Sequence, residues 1–371
     1  MSLPVPRFLF TNGVLAPSVD TPTVSTFLQT HSGAYTTTRT HNNGELLLFW
    51  DRHLKRLSNS LQFLLISNPR LVFGPHFSGS SSFSSSLNWD SFIRRRVNDS
   101  MAIAMPLAIE GMNSGQELSI STLIAGNLEE LSGAQGRIEE EIIENVFDVY
   151  VHVGICVPPV FGVGSNGARL AVVGHKRDFA EAKYSDWARL RKPLEMLRPP
   201  SATELLLSHN GDQLLEGTIT NFFVVRLKEN SEVEKKNANN DGSLQSYKLE
   251  TAPVKDSVLP GIIRQFVIEI CSCMGIAIRE VSPSWSERDS WEEAFVTNSL
   301  RLIQPVDTIQ APCSWTSIGS RSWQEVSWLE KKFQGSPGMV TTLIQREIMK
   351  RAALEGCPLA SLNSSSSSSS L

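Results

Sequence analysis

Lys183 and Glu216 are the residues whose types and setting could do chemistry together. Lys183 opens the stretch Lys183-Tyr184-Ser185-Asp186-Trp187, and Glu216 opens Glu216-Gly217-Thr218-Ile219-Thr220-Asn221. They stand 33 positions apart (216 − 183 = 33). A lysine amine can condense with an aldehyde, and burial near another cation lowers its pKa until it can move protons near neutrality. A carboxylate can keep a heterocyclic nitrogen protonated, so that the ring draws electrons from a bond it is attached to. Spacing alone favours the plainer readings, Lys183 as a surface lysine in a polar stretch, with Lys176 and Lys192 as competitors, and Glu216 as a solvated strand-end glutamate.

The surrounding pattern predicts the elements that would position them. Glu204–Ser208 and Gln213–Leu215 flank an Asn210-Gly211 turn and predict an antiparallel hairpin delivering Glu216 at its end. Ile263, Phe266, Val267, Ile270 and Met274 recur at helical spacing and stop at Gly275. Pro260-Gly261 precede that helix. A glycine there leaves the first N–H groups bare toward an anion, so the expected donors are the amides of Ile262 and Ile263. Near the N-terminus, Tyr35–Thr40 and Glu45–Trp50 flank Asn42-Asn43-Gly44 and predict a second hairpin. Asp51 is then the expected N-cap of a helix with Leu54, Leu57, Leu61 and Leu64 on one face. Tyr35 and Thr37 share a strand face by period two. Arg56 lies off the leucine stripe and by spacing is a solvated arginine.

Five of these segments, in order from about residue 33 to 306, resemble the class-IV aminotransferases, the fold-type IV family that includes D-amino-acid and branched-chain aminotransferases and aminodeoxychorismate lyase. They are Gly33-Ala34-Tyr35-Thr36-Thr37-Thr38-Arg39, His53-Leu54-Lys55-Arg56-Leu57, the Lys183 to Glu216 stretch, Val258-Leu259-Pro260-Gly261-Ile262-Ile263-Arg264, and Glu293-Ala294-Phe295-Val296-Thr297-Asn298-Ser299 running to Pro305-Val306. The resemblance implies an α/β (α+β) chain of two domains holding pyridoxal 5'-phosphate between them, in a homodimer with its site near the subunit interface. It implies Lys183 as the catalytic amine, Glu216 as the ring-nitrogen acid, and Arg56, Gly261, Ile262, Ile263 and Ser299 around the phosphate. Tyr35, Thr37, Arg39 and His152 are candidates for the substrate side, although His152 is as readily a core histidine. Two departures point toward the lyase branch: Thr36 stands where aminotransferases carry an acid, and Ile263 where they carry threonine. The family's arginine-glycine segment has no counterpart in Val151-His152-Val153-Gly154-Ile155-Cys156. Elimination and transamination therefore both stand, with a catalytically silent, PLP-binding or partner-binding descendant as the rival from another class.

Composition fits this frame. The chain has 371 residues, 41% of them hydrophobic, enough for two domains with sizeable cores. A net charge of −4 argues against a nucleic-acid partner, and no apolar run is long enough to span a membrane. The expected partner is a small, amino-acid-like substrate. Five cysteines without a framework spacing, and no evident signal or transit segment, predict a cytoplasmic protein without a metal. The expected domains are 1–160, with a Ser-rich insertion at about 75–90; 168–335, with a disordered loop at about 229–246; and a helix and Ser-rich tail over 336–371. Gly162-Val163-Gly164-Ser165-Asn166-Gly167 matches a dinucleotide fingerprint. It follows Pro158-Pro159 and precedes a strand-like run, so a loop joining the domains is expected instead.

Overall fold

The computed structural model describes residues 6–17, 21–78, 88–133, 143, 145–162, 166–228, 244–315 and 323–366. The chain divides into two compact units. Unit 1 comprises Met1–Pro158, Ala182–Leu190 and Leu354–Leu371; unit 2 comprises Pro159–Glu181 and Arg191–Ala353.

Unit 1 is built on a seven-stranded antiparallel sheet in the order Cys357–Pro358, Leu46–Leu47, Ala34–His41, Glu117–Gly126, Phe147–Cys156, Arg7–Thr11, Val14–Leu15. The helices Trp50–Ser67 and Trp89–Ile109 pack with it. Leu54, Leu57, Leu61 and Leu64 are buried as their spacing predicts. The first hairpin is shorter than expected. Leu46–Leu47 is its only paired return segment, because Phe49 turns left-handed (φ 52) and Trp50 already begins the helix. Asp51 is therefore in the first turn and not the cap. Trp50 is anchored there by its indole N–H, which donates to Asn98 Oδ1 at 2.9 Å.

Lys183 belongs to this unit, although the surrounding sequence reads as second-domain chain. Tyr35 N–H donates to the Lys183 carbonyl and Ser185 N–H to the Gly33 carbonyl, each at 2.9 Å. The bridge Ala34↔Tyr184 completes the attachment to the start of the strand Ala34–His41. The end of the chain also returns to unit 1. Leu359–Ser366, in the expected Ser-rich tail, forms a 3-10 helix with Leu362 buried.

Unit 2 is built on a nine-stranded mixed sheet. Its main path is Ala277–Glu280, Tyr247–Thr251, Asn221–Leu227, Trp291–Asn298, Leu302–Pro312, Ala168–Val172, Glu204–Ser208, Leu214–Gly217. Trp328–Lys332 pairs with Leu302–Pro312 at the side. Leu214–Gly217 also pairs back onto Asn221–Leu227, through Asn221↔Glu216, so part of the sheet closes on itself. Its enclosed face carries Leu206, Leu214, Phe222, Val224, Trp285, Trp291 and Val296 as one apolar cluster. The hairpin Glu204–Ser208 with Leu214–Gly217 forms as predicted. The late helix, expected within 336–371, runs Met339–Leu354, starting six residues ahead of Gln345, where its helical pattern becomes readable in the sequence. Buried Glu293 explains the early start: it accepts from Val340 N–H at 3.0 Å and Thr341 N–H at 2.8 Å, capping the first turn.

A strand, Ala168–Val172, follows the glycine-rich fingerprint, where a dinucleotide site needs a helix. Residues 163–165 of that segment, most of the Ser-rich insertion (79–87), most of the Asn-rich loop (229–243) and the last residues (367–371) lie outside the described residues. Leu244–Ser246, expected to be disordered, is a 3-10 turn. Among the described residues, no helix is long and apolar enough to cross a membrane, and no cluster of three or more His, Cys, Asp or Glu could hold a metal.

Candidate active site

In unit 1 the first cluster grows from the strand Ala34–His41 and the helix Trp50–Ser67. Alternation along the strand sends Tyr35 and Thr37 to one face and Thr36 to the other. Tyr35 is buried with Phe27, Leu28, Leu123 and Ala188, and Lys183 Nζ lies over its ring at 4.6 Å from the centroid. The Lys183 backbone is fixed on a second side, where its N–H donates to Ser60 Oγ at 3.1 Å. On the opposite strand face, Arg56 Nη2 donates to Thr36 Oγ1 at 2.9 Å, and Thr36 Oγ1 is 2.7 Å from His53 Nδ1. Thr36 accepts from the guanidinium, so its own hydrogen is best used on Nδ1. That makes His53 the neutral Nε2–H tautomer. Burial first, then the charges of Arg56 and Lys183, hold its pKa well below the usual histidine value. His53 Nε2 is buried and makes no hydrogen bond among the described residues. Arg56, a solvated residue by spacing, is buried.

The remaining substrate-side candidates of unit 1 are placed differently. Thr37 Oγ1 is 3.0 Å from Ser121 Oγ on the neighbouring strand. Arg39 is buried, and its Nη1 donates to the Thr40 carbonyl at 2.9 Å. His152 stacks on Phe27 with centroids 5.7 Å apart, and its Nε2 donates to the Pro22 carbonyl at 2.8 Å. Arg39 and His152 are thus both buried, and each donates to a backbone carbonyl.

In unit 2 the second cluster is organised around Glu216 and the helix Ile262–Cys273. Glu216 is buried; its Oε1 lies 3.0 Å from Arg177 Nε, with both side chains about 5% exposed or less. The two buried side chains form an ion pair. Leu259 N–H donates to Glu216 Oε2 at 2.9 Å. Asn221 Nδ2 donates to the Leu259 carbonyl at 2.9 Å and more weakly to Glu216 Oε2 at 3.4 Å. Gly261 is the helix N-cap and provides no side-chain cap, leaving the amides of Ile262 and Ile263 at the helix start. A Cβ on Gly261 would stand 1.9 Å from Asn221 Oδ1, so only glycine fits. Ser299 is half-buried in the turn after Trp291–Asn298, which Asn298 Oδ1 ties by accepting from Leu300 N–H at 3.1 Å and Arg301 N–H at 2.8 Å.

A second buried carboxylate supports the loop after Glu216. Glu204 Oε1 accepts from Ile219 N–H at 3.2 Å and Thr220 Oγ1 at 2.8 Å, and Gly217 lets the loop lie against it. Burial, opposed by Arg301 and these bonds, pushes the Glu204 carboxyl pKa above the usual range.

Sequence reasoning missed Arg177, Asn221 and the His53–Thr36 relay. Arg177 sits in Gly174-His175-Lys176-Arg177-Asp178, a polar loop that nothing local distinguishes. Asn221 and His53 lie inside recognised segments, but their partners are 38 and 17 positions away and no spacing rule reaches them.

Residues 168–309 match the amino-transferase class IV family. A comparison with curated protein sequences yields no match. Among solved structures, the chain is similar to a branched-chain aminotransferase from Thermoproteus uzoniensis with norvaline: 18% identity, 95% of this chain and 99% of that one covered, TM-score 0.56. It is similar to the branched-chain amino acid aminotransferase of Escherichia coli, at 15% identity with 92% of each chain covered and TM-score 0.54. A fold IV transaminase from Curtobacterium pusillum gives 15% identity over 94% of this chain and 99% of that one, TM-score 0.56. Residues 168–309, the stretch that holds Lys183, Glu216 and Gly261, thus match the amino-transferase class IV family, and the chain shares its fold along most of its length with these solved transaminases.

Proposed function

We propose that the protein is a pyridoxal 5'-phosphate-dependent transaminase acting at the amino-bearing carbon of an amino acid or related amine. The observation that carries this is the joint construction of an acid and an anion cradle in unit 2. Leu259 donates to Glu216, Asn221 binds Leu259, and Asn221 packs where a side chain at Gly261 would be. A cofactor whose ring nitrogen and phosphate sit on one small ring needs an acid and a cradle held in fixed relation. The residues present fit that group: a cradle closed to any Cβ, helix amides without a side-chain cap, and a buried carboxylate held by a cation.

Bound, the cofactor supplies an aldehyde for the amine and a ring that accepts electrons. Lys183 provides the amine and carries the proton to and from the substrate Cα. Glu216 keeps the ring nitrogen protonated. In unit 2 the amides of Ile262 and Ile263 and the Ser299 hydroxyl would take the phosphate, a role the family resemblance also gives to the charge of Arg56. Tyr35, Thr37, Arg39 and His152 are the proposed substrate-side residues, Thr37, Arg39 and His152 each also being hydrogen-bonded within unit 1. By the same family resemblance we propose a homodimer, which sedimentation equilibrium would test.

A second reading, elimination in the manner of aminodeoxychorismate lyase, is favoured by Thr36, whose hydroxyl bridges Arg56 and His53 where an acid is usual, and by Ile263. The experiment is borohydride reduction of the cofactor-loaded protein, with mass mapping of the modified residue, followed by substrate screening. A pyridoxyl group on Lys183 and a requirement for a 2-oxo acid acceptor are expected. Pyruvate release without an acceptor would move the assignment to the lyase. Absence of a visible band after adding the cofactor would sink both.

A further inference from the structure

We infer that Arg177 is a positioning residue that keeps Glu216 ionised and aimed, and so decides whether the ring nitrogen of the bound cofactor keeps its proton. The inference rests on the proposed role of Glu216 and goes beyond it. Glu216 is almost fully buried, and burial favours the neutral form of a carboxyl. A neutral acid would not hold a proton on a ring nitrogen. The opposing influence is the guanidinium at 3.0 Å, supported by the Leu259 N–H at 2.9 Å. Arg177 is itself fixed, because its Nη2 donates to the Ala180 carbonyl at 3.0 Å within the same loop. Arginine suits the position, since its charge does not titrate in the working range and its planar head can serve two acceptors at once.

The pair also has a tuning consequence. Two opposite charges in contact present little net field, so the nitrogen meets an oriented acceptor and not a bare negative charge. Loss of the arginine charge alone lets the buried Glu216 take up a proton. The nitrogen of a bound cofactor would then lose its own proton to solvent, the ring would draw electrons less strongly, and the visible band would titrate at higher pH.

The test uses the full-length holoprotein, with the visible absorption band titrated against pH and with pyridoxal 5'-phosphate. The Arg177→Gln variant is expected to bind the cofactor about tenfold more weakly, with the band's midpoint raised by about one pH unit. Arg177→Lys is expected to restore most of both. In a Glu216→Gln background, Arg177→Gln should move the midpoint less, because the carboxylate it serves is gone. Equal shifts in the two backgrounds, or weaker binding with an unmoved midpoint, would overturn the inference and leave Arg177 as a loop anchor. If Arg177→Gln does not fold, Arg177→Lys still decides: its midpoint must stay near the wild type, and a full upward shift would overturn the inference. A wild-type protein that develops no band fails the proposed function itself, which is a different result from any of the variant outcomes.

Discussion

Both units place an arginine at the heart of a buried cluster, and the two are used in opposite ways. In unit 1, Arg56 donates to Thr36, which is neutral and passes its hydrogen to His53, also neutral. The charges acting on that histidine are those of Arg56 and Lys183, both positive. In unit 2, Arg177 stands against the carboxylate of Glu216, and the positive charge is cancelled where it sits. The first arrangement suits the reception of a dianionic phosphate. The second suits the holding of one carboxylate in a fixed state and direction. On the proposed function, the same side chain would serve as a ligand where its nearest partner is a hydroxyl and as a positioning group where that partner is an anion.

The comparison breaks most visibly at the amine. Lys183→Ala removes the only group proposed to carry the Cα proton, and turnover is expected to fall by about a thousandfold or more. Near-wild-type turnover would transfer the function to a binding role. Glu216→Gln comes next. It preserves shape but leaves Arg177 buried beside a neutral amide, so a stability loss of about 3 kcal/mol in denaturant unfolding is expected, with turnover down about a hundredfold. Unchanged stability would mean that the pair contributes no more than an exposed one, and that the contrast between the two units is wrong. Gly261→Ala tests the cradle. The added Cβ lies 1.9 Å from Asn221 Oδ1, so either the asparagine or the helix start must move. Cofactor affinity is expected to fall about tenfold, with a cost of about 1–3 kcal/mol in stability. Retained affinity would show that the phosphate lies elsewhere.

What the sequence made legible follows the range of the interactions. The hairpin Glu204–Ser208 with Leu214–Gly217 and the helix Ile262–Cys273 were readable because turn residues and apolar periodicity are local. Lys183, Glu216 and Gly261 were readable only jointly, as segments in a familiar order. Arg56 shows the limit of periodicity: off the apolar stripe, it is buried all the same, with Thr36 of the strand Ala34–His41 accepting from its guanidinium. The attachment of Lys183 to unit 1 was not readable at all, since it depends on backbone bonds to Gly33 and Tyr35, some 150 residues earlier. The early start of the helix Met339–Leu354 was hidden for the same reason, because its cap is Glu293 from a distant strand.

The smallest expected effect concerns His53, and it sharpens the contrast because it reads the charge of the unit 1 cluster directly. Burial, Arg56 and Lys183 keep its pKa well below 6.5 in the folded protein, whereas the unfolded chain titrates near 6.5. Folding therefore excludes a proton that the unfolded state accepts. The stability associated with the neutral imidazole is fully present above pH 6.5 and is lost as pH falls below it. Between pH 6.5 and 5.5 one such group costs about 1 kcal/mol. His152 and His41, also lowered, add to the slope of the wild type and remain in the variant. His53→Gln should thus lose about 1 kcal/mol less than the wild type over that interval in denaturant unfolding. An identical slope would mean that His53 takes up a proton in the folded state despite Arg56 and Lys183. Thr36 would then have to accept from both neighbours, and the relay in unit 1 would carry a second positive charge.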